Sequence, residues 1–144
     1  MTLIQHKTLS LKLHLSSKTS NKIVAQVQIT GSKSETNRLL LLQALYPNLK
    51  IKNLSNSDDA NVMQKGLGIS NGEVDIHHAG TAMRFLTSYF ASQKGKEVVL
   101  TGSSRMKQRP IKILVDALKG LDADIEYLDD VGYPPLKIKG KNLE

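Results

Sequence analysis

Leu11, Leu13 and Leu15 alternate with Lys12 and His14, a period of two that predicts a half-buried strand. A turn cluster, Ser16 to Asn21, follows. Ile23, Ala25, Val27 and Ile29 then alternate with mostly polar neighbours and predict a second strand, closed by Gly31-Ser32. A helix is expected from about Ser34 through the run Leu39 to Leu42 and on to Leu45, stopped near Pro47. Lys50 to Leu54 reads as a short strand. Ser57 is a candidate helix cap with Asp58 and Asp59 in the first turn, where negative charge suits the helix dipole, and Ala60, Met63 and Leu67 form the apolar stripe. Glu73 to Ile76 predicts a strand. Gly80-Thr81 opens a helix whose expected inner face is Ala82, Phe85, Leu86, Tyr89 and Phe90. Glu97 to Leu100 predicts a strand ending at Thr101-Gly102. Pro110 is placed as the first residue of the next helix, in which Ile111, Leu114, Val115 and Leu118 keep the spacing i, i+3, i+4, i+7. Asp124 to Leu128 and Leu136 to Lys139 predict two closing strands. Helices alternating with strands over short links predict an α/β fold.

The chain has 144 residues, enough for one domain with its own core. It has no cysteine, which excludes disulfides, thiolate metal sites and a cysteine nucleophile. Met1 to Leu15 carries no long apolar run, so it reads as neither a signal peptide nor a membrane span, and a cytoplasmic protein is expected. Twenty Lys and Arg against thirteen Asp and Glu leave a net charge of +7, which favours an anionic partner. The basic residues are scattered. With four tyrosines, two phenylalanines and no tryptophan, no aromatic series interleaves with them, so a platform for nucleic acid is not expected.

Three expected helix starts share a design. Gly31-Ser32-Lys33-Ser34 is followed by Arg38, Gly80-Thr81 by Arg84, and Arg105-Met106-Lys107-Gln108-Arg109 leads into Pro110. Each joins free backbone N–H groups and a positive dipole end to a fixed cation, which is the physical recipe for an anion site. Any one of them is ordinarily a cap with a solvated arginine. Three together are accounted for by substrates carrying several negative charges. A Walker A loop is absent, because Ser32 rather than glycine precedes Lys33-Ser34, and no G-x-G-x-x-G occurs. His77 and His78 are adjacent, and as strand residues they face opposite sides, which speaks against a shared metal. Asp58 and Asp59 read as first-turn caps before they read as acids.

Gly31-Ser32-Lys33-Ser34-Glu35-Thr36-Asn37-Arg38 resembles the opening signature of the 5-enolpyruvylshikimate-3-phosphate synthases. Asn53 to Asp59, Ala79-Gly80-Thr81-Ala82-Met83-Arg84, Leu100 to Pro110 with Leu114 to Leu118, and Tyr133-Pro134-Pro135-Leu136 resemble later blocks of that family, in order. The related UDP-N-acetylglucosamine enolpyruvyl transferases share the fold but not this set of blocks, and usually use a cysteine.

The resemblance implies repeated βαβαββ units of the enolpyruvyl transferase fold, an inside-out α/β barrel, here as a partial domain. Residues 1–22 would be a strand segment belonging to the family's other domain, and 23–144 an incomplete N-terminal domain. It implies that Lys33, Ser34 and Arg38 hold shikimate 3-phosphate. Phosphoenolpyruvate would be held by Lys33, Gly80 and Arg109. His78, Thr81 and Arg84 are further candidates for the same wall. It implies no cofactor and no metal. The partners would be the two metabolites and the missing C-terminal domain, with neither nucleic acid nor membrane. The reaction would transfer the enolpyruvyl group of phosphoenolpyruvate to the 5-hydroxyl of shikimate 3-phosphate. The match covers roughly the first third of the family's chain, without its proton-transfer residues, so no catalytic residue is expected here and this chain alone is expected to be inactive. The alternative is a non-catalytic module of the same fold that binds phosphorylated metabolites. Two positions depart from the family pattern. His78 stands where asparagine is usual, which would alter contacts to phosphoenolpyruvate. Phe85 stands where proline is usual, an expected loss of a helix-start proline that would bear on discrimination against the inhibitor glyphosate.

Overall fold

The computed structural model of the chain describes residues 27–143. The strand expected at Leu11 to Leu15, the first half of the one expected at Ile23 to Ile29, and the segment 1–22 assigned to another domain lie outside the described residues.

Two helices come first. Helix α1 spans Lys33–Leu45, and the Ser32 hydroxyl caps it by accepting from the Glu35 amide at 3.4 Å. Helix α2 spans Asp58–Leu67 and is capped the same way by Ser57, with Asp58 and Asp59 in its first turn as expected. A sheet and three helices follow: β1 Asn71–Asp75, α3 Gly80–Ala91, β2 Glu97–Thr101, the one-turn α4 Ser104–Lys107, α5 Lys112–Lys119, β3 Asp124–Tyr127 and β4 Leu136–Lys139. The strands lie in the order β1-β2-β4-β3. β1 and β2 are parallel, and β4 runs antiparallel to both β2 and β3. Residues 71–139 therefore form one complete βαβαββ unit, the element order implied by the resemblance.

Helix α3 is the centre of the core. Ala82, Met83, Leu86, Thr87, Tyr89, Phe90 and Ala91 are all buried, against Val98 and Leu100 of β2 and Leu136 and Ile138 of β4. Each large apolar side chain taken fully from water contributes about 1.5–3 kcal/mol, and this one face supplies several. In α5 the i, i+3, i+4, i+7 set behaves as the spacing predicts: Ile111, Val115 and Leu118 are buried and Leu114 half-buried.

Four expectations are corrected. Residues 27–29 and 50–54 form no strand; Val27 and Ile29 are 56% and 75% exposed, and among the described residues no strand pairs with either segment. An alternating pattern becomes a strand only when a neighbour completes its ladder. A short helix, α4, precedes Arg109, where the only expected helix start is the one at Pro110. Helix α5 begins at Lys112, with Ile111 rather than Pro110 at its boundary: Ile111 has a non-helical φ of −131°, and its amide donates to the Gly132 carbonyl at 2.8 Å. Phe85 is half-buried on the flank of α3, while Met83, not expected inside, is 1% exposed.

Strands β2 and β4 are also joined at the surface, where the Lys137 ammonium lies 3.0 Å from the Glu97 carboxylate. That hydrogen bond and charge hold the Glu97 carboxyl below its usual range and push Lys137 above its own. A carboxyl whose pKa falls on folding adds stability above its unfolded value and loses it as pH drops through the folded one. A lysine raised on folding adds stability below its unfolded value and loses it as pH climbs through the folded one. Relative to Glu97→Gln, the wild-type chain is expected to melt at a slightly higher temperature at neutral pH. The difference should close on acidification from about pH 5 to pH 3, measured by thermal denaturation. A difference independent of pH would show that the pair contributes nothing.

Candidate functional site

Strands β1 and β2 run parallel with Asp75 opposite Thr101, so both end at the same edge of the sheet. Everything that follows them emerges there, at the carboxyl edge where α/β sheets present their ligand sites. After β1 the chain turns in four residues into α3. The His77 amide donates to the Asp75 carboxylate at 2.7 Å, and His77 takes a left-handed φ of 49°. After β2 the chain crosses this turn: the Ser103 amide donates to the His77 carbonyl at 2.8 Å. Ser103 also caps α4 through the Met106 amide at 3.3 Å, and the Arg109 amide donates to the Met106 carbonyl at 2.9 Å. Two turns locked in this way set Arg109 beside the amino end of α3.

That amino end is open. Its boundary residue is Ala79, which makes no side-chain cap, and no acid sits in the first turn. The first N–H groups of α3 therefore have neither an intrahelical partner nor a side-chain acceptor, and they carry the positive end of the dipole. Gly80 is buried and the Arg109 guanidinium lies directly against it. A β-carbon added at Gly80 would fall 2.8 Å from Cζ and 2.9 Å from Nη2 of Arg109. Glycine is what lets the cation and the helix end share one place. Arg84 is turned elsewhere, its Nη1 donating to the Gly80 carbonyl at 3.1 Å, and Thr81 is half-buried next to it. An open cleft of about 710 Å³ borders this point, lined by His78, Ser103, Arg105, Met106 and Arg109.

The second candidate group sits on α1. Lys33 and Ser34 are exposed in its first turn. The Lys33 ammonium is 3.5 Å from the Asp59 carboxylate of α2. Asp59 lines a second cavity of about 380 Å³, together with Asp58, Lys65, His77, His78 and Ala79. His78 belongs to both cavities, so it stands between the Lys33 side and the Arg109 side. Arg38 folds back to donate from Nη1 to the Ser34 carbonyl at 2.8 Å, and its Cζ lies 5.7 Å from the centre of the Phe85 ring. Helix α1 is tied down by buried Thr36, whose hydroxyl accepts from the Ser55 amide at 2.9 Å. Asn37, also buried, has no hydrogen-bond partner for its amide among the described residues.

Of the three sequence groups, two are in direct contact at this edge, through Gly80 and Arg109, and the three are not all helix starts. Lys33 is tied to Asp59, which lines the cavity that also reaches His78. Arg109 is not at a helix amino end. It follows the last turn of α4 and precedes α5, so it brings a side chain to this edge and no helix end. Phe85 is likewise not at a helix start, since α3 begins at Gly80 and Phe85 lies in its second turn. Sequence reasoning missed Ser103, which pins one turn to the other, and Asp59 as the partner of Lys33. The first left only a faint capping signal, and the second had been fully explained as a cap. Among the described residues no group of three or more His, Cys, Asp or Glu side chains stands close enough to hold a metal. No described helix is long and apolar enough to cross a membrane.

Comparison with known proteins bears on this edge. The family model of EPSP synthase (3-phosphoshikimate 1-carboxyvinyltransferase) matches residues 68–144. The 3-phosphoshikimate 1-carboxyvinyltransferase of Bacteroides fragilis is 48% identical over 124 residues, which cover 85% of this chain and 30% of that one. The enzyme of the same name from Colwellia psychrerythraea is 46% identical over 149 residues, covering 85% of this chain and 35% of its own. Among solved structures, an EPSP synthase from Acinetobacter baumannii superposes with a TM-score of 0.65 at 19% identity, over 79% of this chain and 31% of that one. The chain spans about a third of the length of the curated relatives it matches.

Proposed function

The chain belongs to the EPSP synthase family, and from that premise we propose that it supplies one wall of a 3-phosphoshikimate 1-carboxyvinyltransferase site. Arg109, the open amino end of α3 at Gly80, and Lys33 hold phosphoenolpyruvate. Lys33, Ser34 and Arg38 hold shikimate 3-phosphate. His78, Thr81 and Arg84 border the same wall. The observation that carries this reading is the Arg109 guanidinium seated against Gly80 at an uncapped helix start. A bidentate cation and converging N–H donors suit a carboxylate or phosphate far better than a neutral ligand.

In the proposed reaction the 5-hydroxyl of shikimate 3-phosphate attacks C2 of phosphoenolpyruvate while the methylene carbon takes a proton. The hydroxyl gives up its proton on attack, and the tetrahedral adduct then loses phosphate together with one proton from the new methyl group, which leaves the enolpyruvyl ether. This wall contributes positive charge fixed before the reaction, which needs no reorganisation as charge shifts onto the adduct. Lys33 is paired with Asp59 in the free chain, so an arriving anion exchanges partners with a carboxylate rather than meeting a bare ammonium. The acids and bases that move protons are assigned to a second domain of a longer chain. The proposed partners are the two small anions and that domain, not nucleic acid or a membrane, and the proposed compartment is the cytoplasm.

Titration of the chain followed by amide NMR tests the assignment. Shikimate 3-phosphate is expected to shift Lys33 to Arg38, and phosphoenolpyruvate to shift Gly80, Thr81 and Arg109. Absence of both sets overturns the site. With both metabolites present the isolated chain is expected to release no phosphate, and enolpyruvyl transfer by the chain alone would refute the need for a second domain.

A further inference from the structure

Phe85 is not among the residues assigned to ligand, yet its ring occupies a place that decides what Arg38 does. We propose that Phe85 is a positioning residue, whose ring holds the Arg38 guanidinium toward the amino end of α1 and so sets the affinity for the phosphorylated sugar acid. The inference rests on the proposed function. Arg38 is an exposed side chain with many accessible rotamers, and an arginine left to solvent would spread over them. Here two contacts restrict it. Its Nη1 donates to the Ser34 carbonyl at 2.8 Å, which turns the side chain back along α1 toward Ser34 and Lys33. Its Cζ stands 5.7 Å from the Phe85 ring centre, within the reach of a cation–π attraction. The first contact is internal to α1. Only the second fixes the guanidinium relative to α3, the helix that begins at Gly80.

A guanidinium ordered before the ligand arrives loses less freedom on binding, and that saving is the effect to be measured. Phe85→Leu keeps an apolar side chain of similar bulk and removes the ring. It is expected to weaken shikimate 3-phosphate binding roughly two- to five-fold, the range of an exposed cation–π contact. Phe85→Tyr keeps the ring and is expected to bind as wild type does.

Two further readouts separate positioning from general damage to α3. Phosphoenolpyruvate affinity, which depends on the amino end of α3, should be unchanged in Phe85→Leu. In an Arg38→Gln background, Phe85→Leu should cost nothing more. Free-state NMR adds a ligand-independent check, since the Arg38 Nε–H resonance should lose its ring-current displacement in Phe85→Leu and keep it in Phe85→Tyr. If wild-type chain binds no shikimate 3-phosphate, the proposed function falls and this role falls with it. If wild type binds and Phe85→Leu binds equally well, or loses as much without Arg38 as with it, the positioning role alone is overturned.

Discussion

Gly80→Ala is expected to abolish most phosphoenolpyruvate binding while leaving the fold intact or slightly more stable. The new β-carbon would lie 2.8 Å from Cζ and 2.9 Å from Nη2 of Arg109, distances that no real side chain tolerates. The group that must give way is the end of a flexible, exposed arginine, not backbone, so the fold can absorb the change. Gly80 is also the first residue of α3, without a left-handed φ, where alanine is the better helix former. The damage therefore falls on the ligand. The methyl group covers the open N–H groups and displaces the guanidinium that would pair with the anion. Charge-assisted hydrogen bonds are worth about 1.5–3 kcal/mol each, so losing this cluster should weaken phosphoenolpyruvate binding on the order of a hundredfold. Arg109→Lys gives a milder form of the same loss, about tenfold, because a point charge survives but the fork does not. Thermal denaturation and ligand titration on the same samples check both halves. A Gly80→Ala chain that binds as tightly as wild type would remove Gly80 and Arg109 from the site.

The sequence made some parts of this arrangement legible and hid others for physical reasons. Caps at Ser32 and Ser57 and the α5 stripe were readable because each is written within a single turn or two of chain. Glu97 to Leu100 was readable because the run Val98-Val99-Leu100 suits a strand with a parallel neighbour on one side and an antiparallel one on the other. Residues 27–29 alternate and 50–54 reads as a short strand, but the described residues give neither a ladder partner, so the local pattern alone misled. Arg109 reads as part of a helix start, and the structure places it in a link instead. A proline one residue later resembles a helix start, whereas Ile111 is still non-helical and α5 begins only at Lys112, which leaves Arg109 in a link. The pairs Lys33–Asp59 and Arg38–Phe85 join different helices, and no spacing rule along one helix could have shown them.

Phe90→Ala is expected to be the most destabilising single change at the opposite end of α3. Phe90 is 0% exposed and meets Tyr89 edge-on, with ring centres 5.4 Å apart. Removing the ring loses its burial and leaves a hole whose cost depends on how far the walls can relax. Here they are held. The chain leaving β4 is bonded to this end of the helix, Lys141 amide to Ala91 carbonyl at 3.1 Å, and to the link that follows it, Gly140 amide to Lys96 carbonyl at 2.8 Å. The loss should therefore reach the range for such changes, about 3–5 kcal/mol, a large share of the 5–15 kcal/mol that stabilises a typical domain. The melting temperature should drop by roughly 10–20 °C, and by much less in Phe90→Leu, which fills most of the space. A drop of only a few degrees would mean that α3 is not the keystone of the core. Ten residues of helix, about 15 Å, separate this position from Gly80. Saturating phosphoenolpyruvate should thus raise the melting temperature of folded Phe90→Leu as it does that of wild type, and should scarcely raise that of Gly80→Ala. One helix would then be shown to hold the core at its carboxyl end and an anion at its amino end, with the two roles separable by single substitutions.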